Sequence, residues 1–153
     1  MRSIFVLLVL LASCRKADVK PEPAPVKQHV EIAVAAPFAD VATQVRDARA
    51  EARKRGRSLV VYIGATWCEP CQRFHKAAEH GDLDKDFPNL SLIEYDLDTD
   101  GARLKQAGYA PTYIPYFGAP DDSGRASSRA FEGSVKGVGA VDNITPRLKA
   151  LMD

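Results

Sequence analysis

The sequence predicts an α/β fold in which helices flank a central mixed β-sheet. Residues 59–63 form a continuously apolar run rich in β-branched residues, which is typical of a strand buried on both faces. Amphipathic helical patterns lie on either side of this run. The chain has 153 residues, of which 46% are hydrophobic and 27% charged. These values favour one globular domain and exclude a disordered or fibrous chain.

The first half of the domain begins with a helix that starts near Phe38. Apolar residues recur there at spacings of three and four, and Gly56 ends the pattern. The cationic residues around its end predict a solvated face; they are Arg53, Lys54, Arg55 and Arg57. After the buried strand, a second helix is expected to run from the Cys68 region to Gly81.

The second half alternates shorter elements. We expect a strand at residues 90–97, a short helix at about 100–107, and strands near 113–119 and 129–132. A last helix is predicted to start at Pro146, with Thr145 as its N-cap. A further short strand at residues 30–34 is left open.

The first residues have the pattern of a secretory signal. Residues 4–12 are apolar and follow Arg2, but they fall short of the roughly 20 residues that a spanning helix needs. Leu11-Ala12-Ser13-Cys14 resembles the lipobox of bacterial lipoproteins. That resemblance implies a lipidated Cys14 that becomes the first mature residue. The alternative is an ordinary signal peptide with a chance cysteine.

These observations divide the chain into three parts. Residues 1–13 are predicted to be a lipoprotein signal peptide, residues 14–36 the lipidated cysteine with a flexible Pro-rich tether, and residues 37–153 the folded domain. The expected location is extracytoplasmic and membrane-anchored, facing the periplasm if the host has two membranes. A formal charge of +1 offers no electrostatic basis for binding nucleic acid.

Cys68 and Cys71 form the motif that carries chemistry. They are separated by Glu69 and Pro70 and lie where a helix begins, so the positive end of the helix dipole favours a thiolate. We therefore expect an exposed Cys68 to be the nucleophile and the first to ionise, and a more buried Cys71 to resolve the mixed disulfide. A structural disulfide would gain little from so short a loop. A zinc site would need further ligands such as His75 and His80. These lie on the same helix as the cysteines, and one helix cannot surround a metal tetrahedrally.

Residues 60–74, VVYIGATWCEPCQRF, resemble the strand, Trp-Cys-x-x-Cys motif and helix of the thioredoxin superfamily. The resemblance extends through the order of elements and implies a thioredoxin fold with thiol–disulfide oxidoreductase activity. Trp67, Glu69 and Pro70 then belong to the active-site motif. The Cys-Glu-Pro-Cys sequence is similar to that of membrane-tethered reductases. The expected partners are protein disulfides and an upstream electron donor, the expected state is a monomer, and no cofactor is expected beyond the Cys68–Cys71 disulfide.

Two residues depart from the family pattern or modify it. Tyr62 stands six residues before Cys68, where thioredoxin has a buried aspartate that serves as a proton acceptor. Glu69 is expected to be exposed at the rim of the motif. Its charge beside Cys68 would oppose the helix dipole and make the couple more reducing.

The family also places a cis-proline opposite its two cysteines, and this chain has two candidates. Pro111 is followed by Thr112, a pair often found in the family. Choosing Pro111 would leave Pro115 inside an internal strand, where it would remove a hydrogen bond. We therefore expect Pro115 to be the cis-proline, with Pro111 as the alternative.

Other candidate sites are weaker. A Cu(I)-binding chaperone on the same fold is the main alternative function, although the chain has no methionine-rich segment near the motif. Residues 96–101 match the start of a calcium loop, but its twelfth position is Ala107, so Asp98 or Asp100 as a helix N-cap is the better interpretation. His29 has no assigned role. His75 is interpreted as a surface residue that could modulate the thiols if it faced them.

Overall fold

The computed structural model describes residues 29–152. The predicted signal peptide, Cys14 and the prolines of the tether lie outside the described residues. In chain order the elements are β1 (Glu31–Val34), α1 (Val41–Lys54), β2 (Ser58–Gly64), α2 (Glu69–His80), β3 (Leu90–Asp96), α3 (Leu97–Gln106), β4 (Tyr116–Pro120), β5 (Ala126–Glu132) and α4 (Ala140–Met152).

The strands form a five-stranded mixed sheet in the order β1-β3-β2-β4-β5. The strands β1 and β2 run parallel to β3, whereas β4 runs antiparallel to β2 and β5 antiparallel to β4. The central position of β2 explains why its sequence is continuously apolar, since helices cover both of its faces. The predicted α/β class with a mixed sheet is confirmed.

Two apolar clusters lie on opposite faces of the sheet. Tyr62 of β2 and Phe74 of α2 belong to the first, together with residues of α4 such as Ile144. Ile63 belongs to the second, which joins α1 and α3 to the sheet. Successive side chains of a strand point to opposite faces, so neighbouring residues of β2 enter different clusters. The result is three layers, with α2 and α4 on the face that carries the cysteines.

The strand β1 corrects the predicted end of the tether. Its residues pair with β3 from Glu31 beside Ser91 to Val34 beside Glu94, and the preceding Val30 is 2% exposed. The folded domain therefore includes residues that were assigned to the flexible tether up to residue 36. Residues 31–34 are folded because their backbone pairs with the edge of β3. The sequence did not reveal this clearly, since a four-residue strand carries only a weak signal.

Arg57 contradicts the prediction of a wholly solvated cationic face. Its guanidinium group is buried, donates to Ser91 Oγ at 2.8 Å and also contacts the carbonyl oxygens of His29 and Leu90. Glu31 Oε2 lies 3.3 Å from its Nε. Buried charge requires such partners. Arg57 thus joins the end of α1 to β1 and β3.

Two helix starts differ from the prediction. Asp96 is the N-cap of α3, where its carboxylate accepts from the backbone N–H groups of Asp98 and Thr99, so the choice of Asp98 or Asp100 was wrong. The helix α4 begins at Ala140 and contains Pro146 in its interior. Ala140 and Ile144 are fully buried, so packing of the first turn outweighs the local proline signal.

Within residues 29–152, no helix combines the length and the apolar character needed to cross a membrane. The same part of the chain holds no group of three or more His, Cys, Asp or Glu side chains arranged to bind a metal ion.

Candidate active site

The two motif cysteines form a disulfide at the start of α2. Their sulfur atoms are 2.05 Å apart and their Cα atoms 5.2 Å apart. Cys68 is the N-cap of the helix, and its Sγ accepts a hydrogen bond from the backbone N–H of Cys71 at 3.3 Å. Pro70 lies in the first turn, where a missing N–H removes no helical hydrogen bond. An N-terminal N–H group therefore already points at the Cys68 sulfur.

The two cysteines are almost equally buried. Cys68 is 4% exposed and Cys71 is 3% exposed, so the prediction of an exposed Cys68 was wrong. The surrounding fold decides this, because both cysteines belong to the apolar cluster that includes Tyr62 and Phe74. The cysteines nevertheless line different spaces. Cys68 lines a groove of about 520 Å³, and Cys71 lines an equally open cavity of about 650 Å³.

Aromatic side chains, the loop before β4 and polar residues from the end of β5 to α4 line the groove on the Cys68 side. Trp67 and Tyr113 line it and are 64% and 68% exposed. The indole N–H of Trp67 donates to Asp98 Oδ2 at 2.8 Å, which ties the ring to the start of α3. Ile114 lies in the same wall as Cys68. The groove thus brings exposed rings and Ile114 into one space with Cys68.

The Ile114–Pro115 peptide bond is cis, whereas the bond before Pro111 is not. Pro115 is buried, and its carbonyl oxygen accepts from the backbone N–H of Gly133 at 2.8 Å. The cis-proline is therefore Pro115, which lies immediately before β4 and not inside the strand.

Glu69 is less free than the sequence suggests. Its side chain is 37% exposed, and its carboxylate accepts hydrogen bonds from Arg73 and from the backbone N–H of Gly137. These bonds lower the pKa of Glu69, with the Arg73 contact as the largest cause. The carboxylate therefore links α2 to the loop before α4, and its charge is partly compensated.

The cavity on the Cys71 side contains titratable groups. His75 Nε2 and Glu94 Oε1 are 2.7 Å apart, and both side chains are less than one-third exposed. The hydrogen bond to Glu94 is the largest cause that raises the pKa of His75. His75 therefore lies in the same cavity as Cys71, is held by Glu94 and is not a free surface residue.

Tyr62 closes the floor of this cavity. Its hydroxyl is buried and has no hydrogen-bond partner among the described residues. A Cβ at Gly64 would lie 2.9 Å from this hydroxyl oxygen and 3.5 Å from Cys71 Cβ, so the tyrosine tip and the cysteine flank the same glycine. Burial raises the pKa of Tyr62, and the charge of Glu94 adds to this shift. The side chain is accordingly a neutral donor.

Sequence reasoning missed Glu94. The available signal was a single charged residue between positions 90 and 95 of a strand that is otherwise apolar or small. Glu94 pairs with Tyr62 of β2 in the parallel register. The sequence pattern of either strand alone does not reveal this pairing.

A protein-family model described as thioredoxin-like matches residues 40–116, from the N-cap of α1 to the first residue of β4. The chain belongs to the thioredoxin-like family. This match covers both cysteines, Tyr62, Glu94 and the cis-proline. The thioredoxin fold and the Cys68–Cys71 pair are, at a general level, those of a thiol–disulfide oxidoreductase.

Solved structures similar to this thioredoxin-like chain include two thioredoxins. Oxidised thioredoxin O1 from Arabidopsis thaliana is 18% identical, with a TM-score of 0.49, over 82% of this chain and 99% of that one. A thioredoxin from Trichomonas vaginalis is 21% identical, with a TM-score of 0.48, over 82% of this chain and 95% of that one. The comparison with curated proteins gave no match.

Proposed function

We propose that this thioredoxin-like protein is an extracytoplasmic, membrane-anchored reductase of protein disulfides. The observation that carries the proposal is the Cys68–Cys71 disulfide at the N-terminus of α2, with Cys68 opening into a groove. A helix N-terminus stabilises a thiolate through its dipole and its free N–H groups. Cys68 is therefore the attacking sulfur.

The reaction is a pair of thiol–disulfide exchanges. The Cys68 thiolate attacks one sulfur of a substrate disulfide, forms a mixed disulfide and releases the other substrate sulfur as a thiolate. Cys71, once deprotonated, attacks Cys68 Sγ, releases the second substrate thiolate and restores the Cys68–Cys71 disulfide. A dithiol protein must then supply two electrons and two protons to reduce that disulfide again. We propose that this electron donor is a second protein partner, beside the disulfide substrate.

The groove would hold a segment of the substrate beside Cys68. The backbone next to Pro115 can pair with an extended chain, and Ile114 already lines the groove. Trp67 and Tyr113 present apolar surface to the residues that flank the substrate sulfur. These groups define a site for a protein disulfide rather than for a small buried ligand.

The anchor and the location rest on the first residues of the sequence. Lipidation of Cys14 after removal of residues 1–13 would hold a monomeric domain near the membrane. The segment between Cys14 and β1 would then serve as the tether. We expect Cys14→Ser to move the protein from the membrane to the soluble fraction without altering its disulfide reduction. Retention of the variant on membranes would contradict lipid anchoring.

The activity is tested with the full chain in an insulin-reduction assay that uses a chemical dithiol as donor. Cys68→Ser should abolish turnover, and Cys71→Ser should accumulate mixed disulfides on Cys68. His80→Gln, an exposed substitution near the end of the same helix, is the matched control. Absence of insulin reduction by the unmodified chain would contradict the reductase proposal. Stoichiometric copper on the reduced protein would instead favour the Cu(I)-binding alternative.

A further inference from the structure

The resolving step requires a proton acceptor for Cys71. A thiol attacks a disulfide only as the thiolate, and burial in apolar surroundings opposes its ionisation. Cys71 is 3% exposed and belongs to the apolar cluster that includes Phe74 and Phe117. Some group within reach of the sulfur must therefore take the proton when Cys71 attacks.

The strand beneath Cys71 offers no carboxylate. Tyr62 occupies the position of β2 that faces α2, and its buried hydroxyl is a donor that burial keeps neutral. It can donate a hydrogen bond to a sulfur or to water, but a neutral phenol already holds its proton and cannot take the proton of Cys71. The acceptor must lie elsewhere in the wall of the cavity.

The next strand supplies a carboxylate at the same level. Glu94 of β3 lies beside Tyr62 in the parallel register, so both side chains point toward α2. His75 of α2 is bonded to Glu94, and its ring centroid is 5.7 Å from that of Tyr62. Cys71, His75 and Glu94 all line the cavity of about 650 Å³. The space between them can hold water that carries a proton.

We propose that the His75–Glu94 pair accepts the proton of Cys71 through this cavity during the resolving step. The proposal rests on the oxidoreductase function proposed above. The Cys71 thiol gives its proton to the neutral imidazole, the thiolate forms a bond to Cys68 Sγ, and the bond from Cys68 to the substrate sulfur breaks. The pair then returns the proton to the departing thiolate or to solvent. His75 is the proton acceptor, reached through the cavity, and Glu94 is a positioning residue that holds the imidazole.

The charges around His75 suit this role. Glu94 stabilises the imidazolium form and raises the pKa of His75, which brings its titration closer to that of a thiol. Other titratable or charged groups also line the two spaces next to the His75 ring. They come from α2, from α3 and its N-cap, and from β1 and the segment just before it: Lys76, Glu79, Asp96, Asp100, Arg103, Glu31 and His29.

The test uses the full chain carrying Cys14→Ser, so that the only thiols are the two of the motif. The reduced protein is mixed with dithionitrobenzoate. Cys68 releases one equivalent of coloured thiolate in a concentration-dependent phase, and the attack of Cys71 on the mixed disulfide releases the second in a concentration-independent phase. The second phase isolates the step that needs the acceptor.

We expect His75→Gln and Glu94→Gln to slow the second phase about tenfold or more near pH 7 and to leave the first phase unchanged. The difference should disappear in alkaline solution, where hydroxide removes the proton. Free imidazole should accelerate the second phase of His75→Ala by entering the space left in the cavity. The substitutions His80→Gln and Glu51→Gln, both on exposed helix surfaces, are the controls.

Three results would overturn the proposal: an unchanged second phase, a slowing that persists equally at alkaline pH, or an imidazole effect no larger than in the unmodified protein. The dithionitrobenzoate reaction needs no biological substrate. Failure of the reductase proposal would therefore show in the insulin assay, whereas failure of the acceptor would show only in the second phase.

Discussion

The two sides of the disulfide differ in chemistry. The groove on the Cys68 side is lined by exposed aromatic rings, by Ile114 and by charged side chains such as Lys136 and Arg147. The cavity on the Cys71 side contains the His75–Glu94 pair and Tyr62. The two cysteines are equally buried, so exposure does not distinguish them. The two cysteines therefore differ in the groups that line the space beside each sulfur. One side is suited to binding substrate and the other to handling protons.

The largest effect should be seen in alkylation of the reduced thiols. Iodoacetamide should modify Cys68 at least about ten times faster than Cys71 near neutral pH, because Cys68 is the N-cap of α2 and opens into the groove. Peptide mapping by mass spectrometry after short reaction times gives the ratio. Equal rates would mean that burial rather than local electrostatics controls both thiols, and faster modification of Cys71 would reverse their roles.

Substitution in the groove should affect substrate binding more than turnover. Trp67→Ala removes an exposed ring beside Cys68, so we expect the KM for insulin to rise about fivefold while kcat changes little. Phe38→Ala, which removes a 98% exposed ring outside the groove, is the control. A fall in kcat at constant KM would place Trp67 in the chemistry of the cysteines instead.

Substitution in the cavity should change how stability depends on pH. The folded protein raises the pKa of His75 above 6.5, so the stabilisation is fully present below pH 6.5 and is lost as pH rises through the folded pKa. In urea denaturation of the oxidised protein, the free energy of unfolding should fall by about 1 kcal/mol as pH rises from below 6.5 through the folded pKa of His75. His75→Gln should remove that decrease, and an identical pH dependence in both proteins would exclude the coupling.

The smallest effect should come from Glu69, which lines the groove on the Cys68 side. Removing its charge beside Cys68 stabilises the thiolate, so Glu69→Gln should shift the couple to a more oxidising potential. Because Arg73 and the N–H of Gly137 already compensate the carboxylate, we expect only about 10 mV, below the ~30 mV of a tenfold change in the equilibrium constant. Redox titration against glutathione measures this, and a reducing shift would contradict the sign.

Several features could be predicted from local sequence. The buried strand β2 was visible as a run of β-branched residues, and the dithiol was visible as two cysteines at a strand-to-helix junction. The cis-proline could be predicted because an internal strand would lose a hydrogen bond at Pro115, which placed Pro115 just before that strand. Each of these depends on neighbours within a few residues.

Other features could not be predicted because their causes are distant in the chain. Arg57 looked like one of four exposed cations, yet its partners lie on β1 and β3. The helix α4 begins before its proline because Ala140 and Ile144 pack against the sheet and α2. Side-chain packing between elements outweighs capping signals of about 1 kcal/mol.

The sequence by itself determined that Cys68 and Cys71 would lie in the first turn of a helix after a buried strand, since strand composition and helix geometry are local properties. Only the tertiary structure decided what each sulfur would face. The parallel register of β2 and β3 set Glu94 beside Tyr62, and the packing of α2 on the sheet brought His75 to the same carboxylate. Hydrogen bonds between strands and contacts between layers create such neighbours, and neither leaves a periodic pattern in the sequence.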